Sequence, residues 1–458
     1  MTHTTQPNVR RCIIAGLLVA LLAPAAFGQT GDQAEMIGLE QFLTLVEANS
    51  LQLETARTDR LLAEVQEDLV RSQIFPFVAG QVGYTRNILD IEQDFPIGAD
   101  TSGAGSFAPI VTEPFDVNSN NDFTVGFSVD QLLFDAGVFR ALEASRQFSD
   151  LTGTIYQATR QGLLTEAKRL FFQTLLLQEV LAVRRSSEAI ALASFEEAQQ
   201  RFANGLASQL EVLQAEVDWK ITEPDTTQAE RNLNVALQNL KNFAGLPQDQ
   251  EIGLAGSLDE FPAPPNFDGA FADRTMRPDY QALLAERRLR ELNIAAERAA
   301  FYPSVSASLA YGWQASDDGF SLSDGTDSLT GGITVTVPIF FGGSRFASLN
   351  QARLELDRTV AAIAISDDDI ATELETIRLT LEEAALRIES AAQTRDTVER
   401  ALQVSQTSFD NGLATQRELN DTRVNLERAR LNYLSAVFDY LSAYFNWQLA
   451  TGIGDQAF

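Results

Sequence analysis

The sequence predicts a mainly α protein with a small membrane β part. Three observations carry this. One structural plan is written twice, each copy holds two short strands of period two, and each strand pair precedes more than sixty residues of proline-free helical pattern. Four strands cannot close a barrel, and a bilayer tolerates no open sheet edge, so several chains must share one; three would supply twelve strands.

The chain begins with Arg10 and Arg11 ahead of an apolar run over residues 13–26, with Ala26 and Gly28 at a plausible cleavage point. This is the layout of a secretory signal peptide over residues 1–28, and the run is too short for a comfortable membrane anchor. The only histidine, His3, and the only cysteine, Cys12, fall inside it. The exported chain would therefore lack imidazole, thiol and disulfide chemistry. Cys12 stands before the apolar run, which argues against a lipid-anchored N-terminus. No other apolar run approaches twenty residues, so no helix is expected to cross a membrane. The net charge of -29, from 63 acidic and 34 basic residues, argues against nucleic acid as a partner, since a phosphate backbone needs a basic surface. It reads first as a solubilising surface.

The repeat is plain at two landmarks. RFANGLASQLEVLQAEV (201–217) returns as SFDNGLATQRELNDTRV (408–424), and QLLFDAGVFR (131–140) as PIFFGGSRFA (338–347), both 207 residues apart. Upstream, IFPFVAGQVGY (74–84) matches FYPSVSASLAY (301–311) at 227, so the first copy holds extra residues. They fall in 88–121, where Gly, Pro, Asp, Asn and Ser predict a long loop. Residues 314–328 predict its counterpart.

The flanking segments alternate. Val78, Gly80, Val82 and Tyr84 share one face, as do Phe123, Val125, Phe127 and Val129. Val305, Ala307, Leu309, Tyr311 and Trp313 share a third, and Ile333, Val335, Val337 and Ile339 a fourth. The opposite faces are small or polar, and each segment has about the ten residues that cross a bilayer.

Residues 138–201 and 346–409 read as helices of about 95 Å at 1.5 Å per residue. Each ends in Asn-Gly, at Asn204-Gly205 and Asn411-Gly412, and Ser208 or Thr415 then caps a returning helix. Shorter helices over 38–72 and 277–300 lead into the first strand of each copy. Pro224 predicts a kink or break in the first returning helix. The resulting division is an N-terminal helix (29–73), a strand unit (74–136), a helical hairpin turning at 204–207 (137–243), and a connector or small packed belt (244–276). The second copy follows with a helix (277–300), a strand unit (301–343), a hairpin turning at 411–414 (344–450) and a tail (451–458).

The duplicated strand-loop-strand units followed by F-D-A-G or F-G-G-S, and the N-G-L-A-[ST] turns, resemble the TolC family of outer-membrane efflux proteins. The resemblance covers residues 38–452, and YLSAVFDYLSAYFNWQLATG (433–452) is similar to the family's last helix. It implies a homotrimer in which four strands per chain complete a 12-stranded β-barrel in outer-membrane lipid, joined to a long α-helical periplasmic barrel. It further implies a periplasmic adaptor (membrane fusion) protein and an inner-membrane pump or ABC transporter as partners. The cargo would be small toxic compounds, with type I protein secretion or metal-cation efflux as alternatives. A trimeric structural or adhesive coiled coil is a weaker reading, since it needs neither the duplicated strands nor the returning helices. No cofactor, resident metal or catalytic set is expected.

The candidate residues line or close a path. Glu418 and Asp421 stand three apart on one helical face, and the family carries acidic residues at the matching positions around its periplasmic entrance; Glu211 and Gln214 are their counterparts. Ordinary solvated helix positions are the alternative. Arg201, Asn204, Gly205, Leu206, Asn411, Gly412 and Leu413 are expected to meet the adaptor, or only to reverse the chain. Asp367, Asp368 and Asp369 suggest a solvated face at a helix irregularity, with a lumen cation site as the alternative. Tyr84, Tyr311 and Trp313 near the outer strand ends, with Phe134, Phe340 and Phe341 near the inner ends, suit two aromatic belts, or packing against a neighbouring strand.

Overall fold

The computed structural model describes residues 35–89, 92–99, 110–116, 119–265 and 273–453. The signal-peptide expectation, with His3 and Cys12, lies outside the described residues, as do residues 454–458 of the tail. The first copy contains β1 (Glu35–Ile37), α1 (Leu39–Asn49), α2 (Leu51–Ser72), β2 (Phe77–Arg86), β3 (Glu92–Ala99), β4 (Ile110–Asp116), β5 (Asn121–Phe134), α3 (Ala136–Ala203) and α4 (Gln209–Phe243). After β6 (Ile252–Leu254) the second copy runs α5 (Pro278–Ala299), β7 (Ser304–Asp317), β8 (Thr326–Thr336), α6 (Ser344–Asp410) and α7 (Gln416–Thr451).

Four of the strands form one antiparallel sheet in the order β2-β5-β7-β8. The register collects the alternating residues into rows. Val82, Val125 and Trp313 share one row, which ends on Asp327 near the 318–325 turn, and Gly80, Phe127, Tyr311 and Leu329 share another. One residue along, Gln81, Gly126, Gly312 and Ser328 align, followed by Ala79, Ser128, Ala310 and Thr330. Since successive side chains alternate in face, one surface is apolar and the other small and polar. The polar surface lines a hollow. The apolar one is bare, with Val82 84% exposed. Among the described residues β2 and β8 are the open edges of this sheet.

The 68 residues of α3 and 67 of α6 make rods of about 100 Å. Helix α3 packs against α4, α7, α2 and α5, and α6 against α7 and α5. In α6 the buried positions Ile370, Leu374, Leu381, Ala384 and Ile388 recur at threes, fours and sevens, the narrow seam of a coiled coil rather than a broad core-facing stripe. The main core sits partway along the rods. Phe42 of α1, Phe171 and Leu175 of α3, Leu240 of α4, Leu254 of β6 and Tyr440, Leu441 and Phe445 of α7 are fully buried there. Beside them β1 pairs in parallel with β6, Glu35 opposite Ile252, so the connector contributes a strand to this belt.

Four expectations are corrected. The helix over 38–72 is two helices, because Ser50 takes an extended backbone (ψ 118°), ends α1 and caps α2 through Leu53 N. The first loop, 88–121, holds the antiparallel pair β3 and β4, with a bulge between Pro96 and Gly98; the Pro and Gly that suggested a loop mark that irregularity. The second loop shortens to 318–325, because β7 and β8 extend into the region taken as turn. Finally, of the kink or break expected at Pro224, the break is absent, since α4 runs continuously from Gln209 to Phe243. Proline removes one N–H, which orphans the carbonyl of Lys220. Lys220 and Pro224 are both exposed, so water reaches the gap while Ala215, Thr226, Ala229 and Ala236 hold the buried face.

Candidate channel wall and helical tip

The two tip turns are built alike. Asn204 and Asn411 each return a side-chain amide to the carbonyl four residues back, at 2.9 and 2.7 Å. Gly205 and Gly412 follow at φ 73° and 71°, a region that side chains with a Cβ avoid. Leu206 N then reaches Arg201 O, and Leu413 N reaches Ser408 O, both at 2.8 Å. This geometry pushes Leu206 and Leu413 outward, 71% and 84% exposed. Arg201 stacks its guanidinium on Phe409, 5.5 Å from the ring centroid, and so joins the first turn to the end of α6.

Past the turns, both copies close a capping box. Glu211 accepts from Ser208 N at 3.3 Å and Oγ at 2.9 Å, and Glu418 from Thr415 N at 2.7 Å and Oγ1 at 3.0 Å. The bonds from the Thr415 backbone and side chain pull the Glu418 carboxyl below its ordinary range. Of the three acids named from sequence at the entrance, Glu211 and Glu418 therefore cap their helices. Asp421 and Gln214 are exposed one turn further on.

Where the two hairpins meet, a set of contacts had no sequence signal, because those that cross between the hairpins join different copies at unrelated spacings. Arg184 of α3 pairs with Asp225 of α4 at 3.1 Å and with Glu427 of α7. Arg423 of α7 donates to Ser194 Oγ at 2.6 Å and Gln406 Oε1 at 3.1 Å, and Asn420 to Asp218. Burial lowers the Arg423 pKa. Of these, Ser194, Asp218, Asn420, Arg423 and Glu427 line a cleft between the hairpins together with Asp421.

At the acidic triplet the helix is regular. Asp367 pairs with Arg274 and takes a hydrogen bond from Tyr280, while Asp368 and Asp369 are exposed. Nearby, Arg277 bonds Glu373 at 2.6 Å, Asp279 at 2.8 Å and the Ala450 carbonyl at 3.2 Å. Burial lowers its pKa, but the two carboxylates outweigh that and leave it raised.

The aromatic residues form two groups. At the end of the sheet far from the helices, Tyr84 donates to Asn121 Oδ1 at 2.9 Å and its ring lies 5.0 Å from Phe123, while Tyr311 donates to Asp327 at 2.6 Å. Trp313 packs beside Gly325. At the helical end Phe134 meets Phe139 at 6.3 Å and Phe341 lies under Arg345 at 4.1 Å. Phe340, 81% exposed, and Phe341 sit past the end of β8. Asn121, absent from the sequence reading, is fully buried and donates to the carbonyls of Asp317, Asp318 and Gly319, tying the 318–325 turn to β5.

A sheet with one bare apolar face and one small polar face, set on two helical hairpins whose long arms reach about 100 Å, defines a subunit of an outer-membrane channel. The chain belongs to the outer membrane efflux protein family, whose model matches residues 43–246 and 274–452. It is similar to the outer membrane protein TolC of Vibrio cholerae, 21% identical over 369 residues that cover 74% of this chain and 82% of that protein. It is also similar to the proteases secretion protein PrtF of Dickeya chrysanthemi, 25% identical over 242 residues, about half of each chain at 50% and 49%. The fold matches the CmeC outer membrane channel of Campylobacter jejuni with a TM-score of 0.72 at 18% identity, covering 91% of this chain and 86% of that one.

Proposed function

We propose that this chain is one third of a trimeric channel-tunnel that receives small toxic compounds from a periplasmic adaptor and an inner-membrane pump and conducts them across the outer membrane. The observation that carries this reading is the sheet, apolar on one face, polar on the other and open at both β2 and β8, continuous with two long hairpins. Three such sheets joined β8 to β2 would satisfy every edge and enclose the polar faces, while the helices extend the conduit into the periplasm.

At the tip, the exposed Leu206 and Leu413 form the adaptor-facing surface, held by the Asn204-Gly205 and Asn411-Gly412 turns and by Arg201. Asp421 supplies the free carboxylate at the entrance, with Glu418 committed to its cap. The aromatic groups mark the two membrane interfaces.

The test is a deletion strain of a Gram-negative host lacking its own channel, given this chain with its adaptor and pump. Restored resistance to small amphiphilic toxins is the expected result; export of a co-expressed protease without restored resistance would favour protein secretion. The similarity to PrtF makes protein secretion the second reading.

A further inference from the structure

The inner wall of the sheet is almost free of charge. Along the polar face the register places Gln81, Thr124, Ser128, Gln314, Ser328 and Thr330, interspersed with Gly and Ala. Two acids interrupt this row in β5. Asp122, at the end far from the helices, is tied up, accepting from Ser316 Oγ at 2.6 Å and Asn87 Nδ2 at 3.0 Å. Asp130 lies on the same face four residues before the strand ends at the helical side. It is exposed, its cross-strand neighbours are Phe77 and Ser308, and no hydrogen bond or ion pair reaches it among the described residues.

We propose that Asp130 is an ion-selectivity determinant of the channel, a free carboxylate at the junction of barrel and helical tunnel that favours cationic over anionic solutes. The inference rests on the trimeric channel reading, which turns one carboxylate per chain into a ring of three. A ring of like charges facing a water-filled path raises the local concentration of counter-ions, and it acts most where the rest of the wall has no field of its own. The hydroxyl, amide and glycine wall above it supplies hydrogen bonding and width without charge. Discrimination by sign at this level therefore falls to one side chain, distinct from the acids at the periplasmic tip.

The experiment is the reversal potential of purified trimers in planar bilayers under a KCl gradient. Asp130→Asn is expected to move the cation-to-anion permeability ratio toward that of free KCl, Asp130→Lys to carry it further toward anions, and Asp130→Glu to retain the original preference. Should the Lys variant fail to assemble, Asp130→Cys serves instead, because the chain's own cysteine, Cys12, is far away in sequence. Reaction with sulfonatoethyl methanethiosulfonate and with its trimethylammonium counterpart should displace the potential in opposite directions. Conducting trimers whose potential ignores the charge at position 130 would overturn the inference and leave the channel reading intact. Wild-type protein that forms no conducting pore would remove both.

Discussion

Arg201 lies over the ring of Phe409, so the first tip turn is fastened to the last turn of the second long helix by a contact between the two copies. A cation on an aromatic face contributes about 0.5–1 kcal/mol at an exposed site and more when desolvated, and both partners here are half-buried. Arg201→Ala and Phe409→Ala should each lower amide-exchange protection at both turns, with a coupling of that size in the double-mutant cycle. Additive effects would mean that the stacking carries no energy.

The cap at Thr415 has a pH signature. Glu418 holds its proton less readily in the fold than in the unfolded chain, so its contribution is complete above the unfolded carboxylate pKa and disappears as pH falls through the lower folded value. Protection of the first-turn amides of α7 should drop over that acidic window in the wild type. In Glu418→Gln it should not vary there, since the amide keeps an acceptor oxygen but does not titrate.

Pro224 is the simplest route to a stiffer first hairpin. Interior proline in a helix costs about 3 kcal/mol, and α4 continues through it regardless. Pro224→Ala restores the donor to the Lys220 carbonyl and should stabilise the lower part of the first hairpin by about 1–3 kcal/mol, read as slower amide exchange around residues 218–228. Unchanged exchange would show that water and packing already compensate in full.

Arg277 joins the start of α5 to α6 and to the end of α7. Its side chain is 10% exposed, but Glu373 and Asp279 are 43% and 57% exposed, so removing it strands two carboxylates that water can still reach. Arg277→Met should cost about 2 kcal/mol, below the range for a fully buried pair, and should fray α7 from its C-terminus. Circular dichroism during thermal denaturation measures the first, and exchange at residues 445–451 the second.

Tyr440 reports on the belt. Burial, then the neighbouring Tyr444, pushes its phenol up to about 12, and its hydroxyl donates to the Pro262 carbonyl at 2.9 Å. The fold thus favours the protonated ring, so this stabilisation is complete below about pH 10 and declines as pH rises toward the folded value. Tyr440→Phe should cost about 1 kcal/mol at neutral pH and weaken the loss of stability between pH 10 and 12.

Much of the fold was legible because its signals are periodic and written twice. The alternation in Val78 to Tyr84 and Phe123 to Val129 set the faces that the sheet shows, and the Asn-Gly pairs located both turns to the residue. What escaped was local or cross-copy. Ser50 breaks a helix on one backbone angle, β3 and β4 pair through a stretch rich in turn formers, and Pro224 is overruled by packing along α3. At the candidate site, sequence placed Glu418 and Asp421 on one face but could not tell a cap from a free carboxylate. The contacts of Arg184 with Glu427, Arg423 with Ser194 and Asn420 with Asp218 join residues more than 200 positions apart, and no spacing within one helix announces them.

In the proposed trimer, the edges at β2 and β8, unpaired among the described residues, reach beyond the single molecule into heredity. A subunit unable to offer one of them would still dock through the other, and the ring it entered could not be completed. Cells carrying one such allele beside an intact one would lose mixed assemblies as well as pure defective ones, so lesions in these two strands should behave as dominant, whereas lesions that prevent export altogether should be recessive.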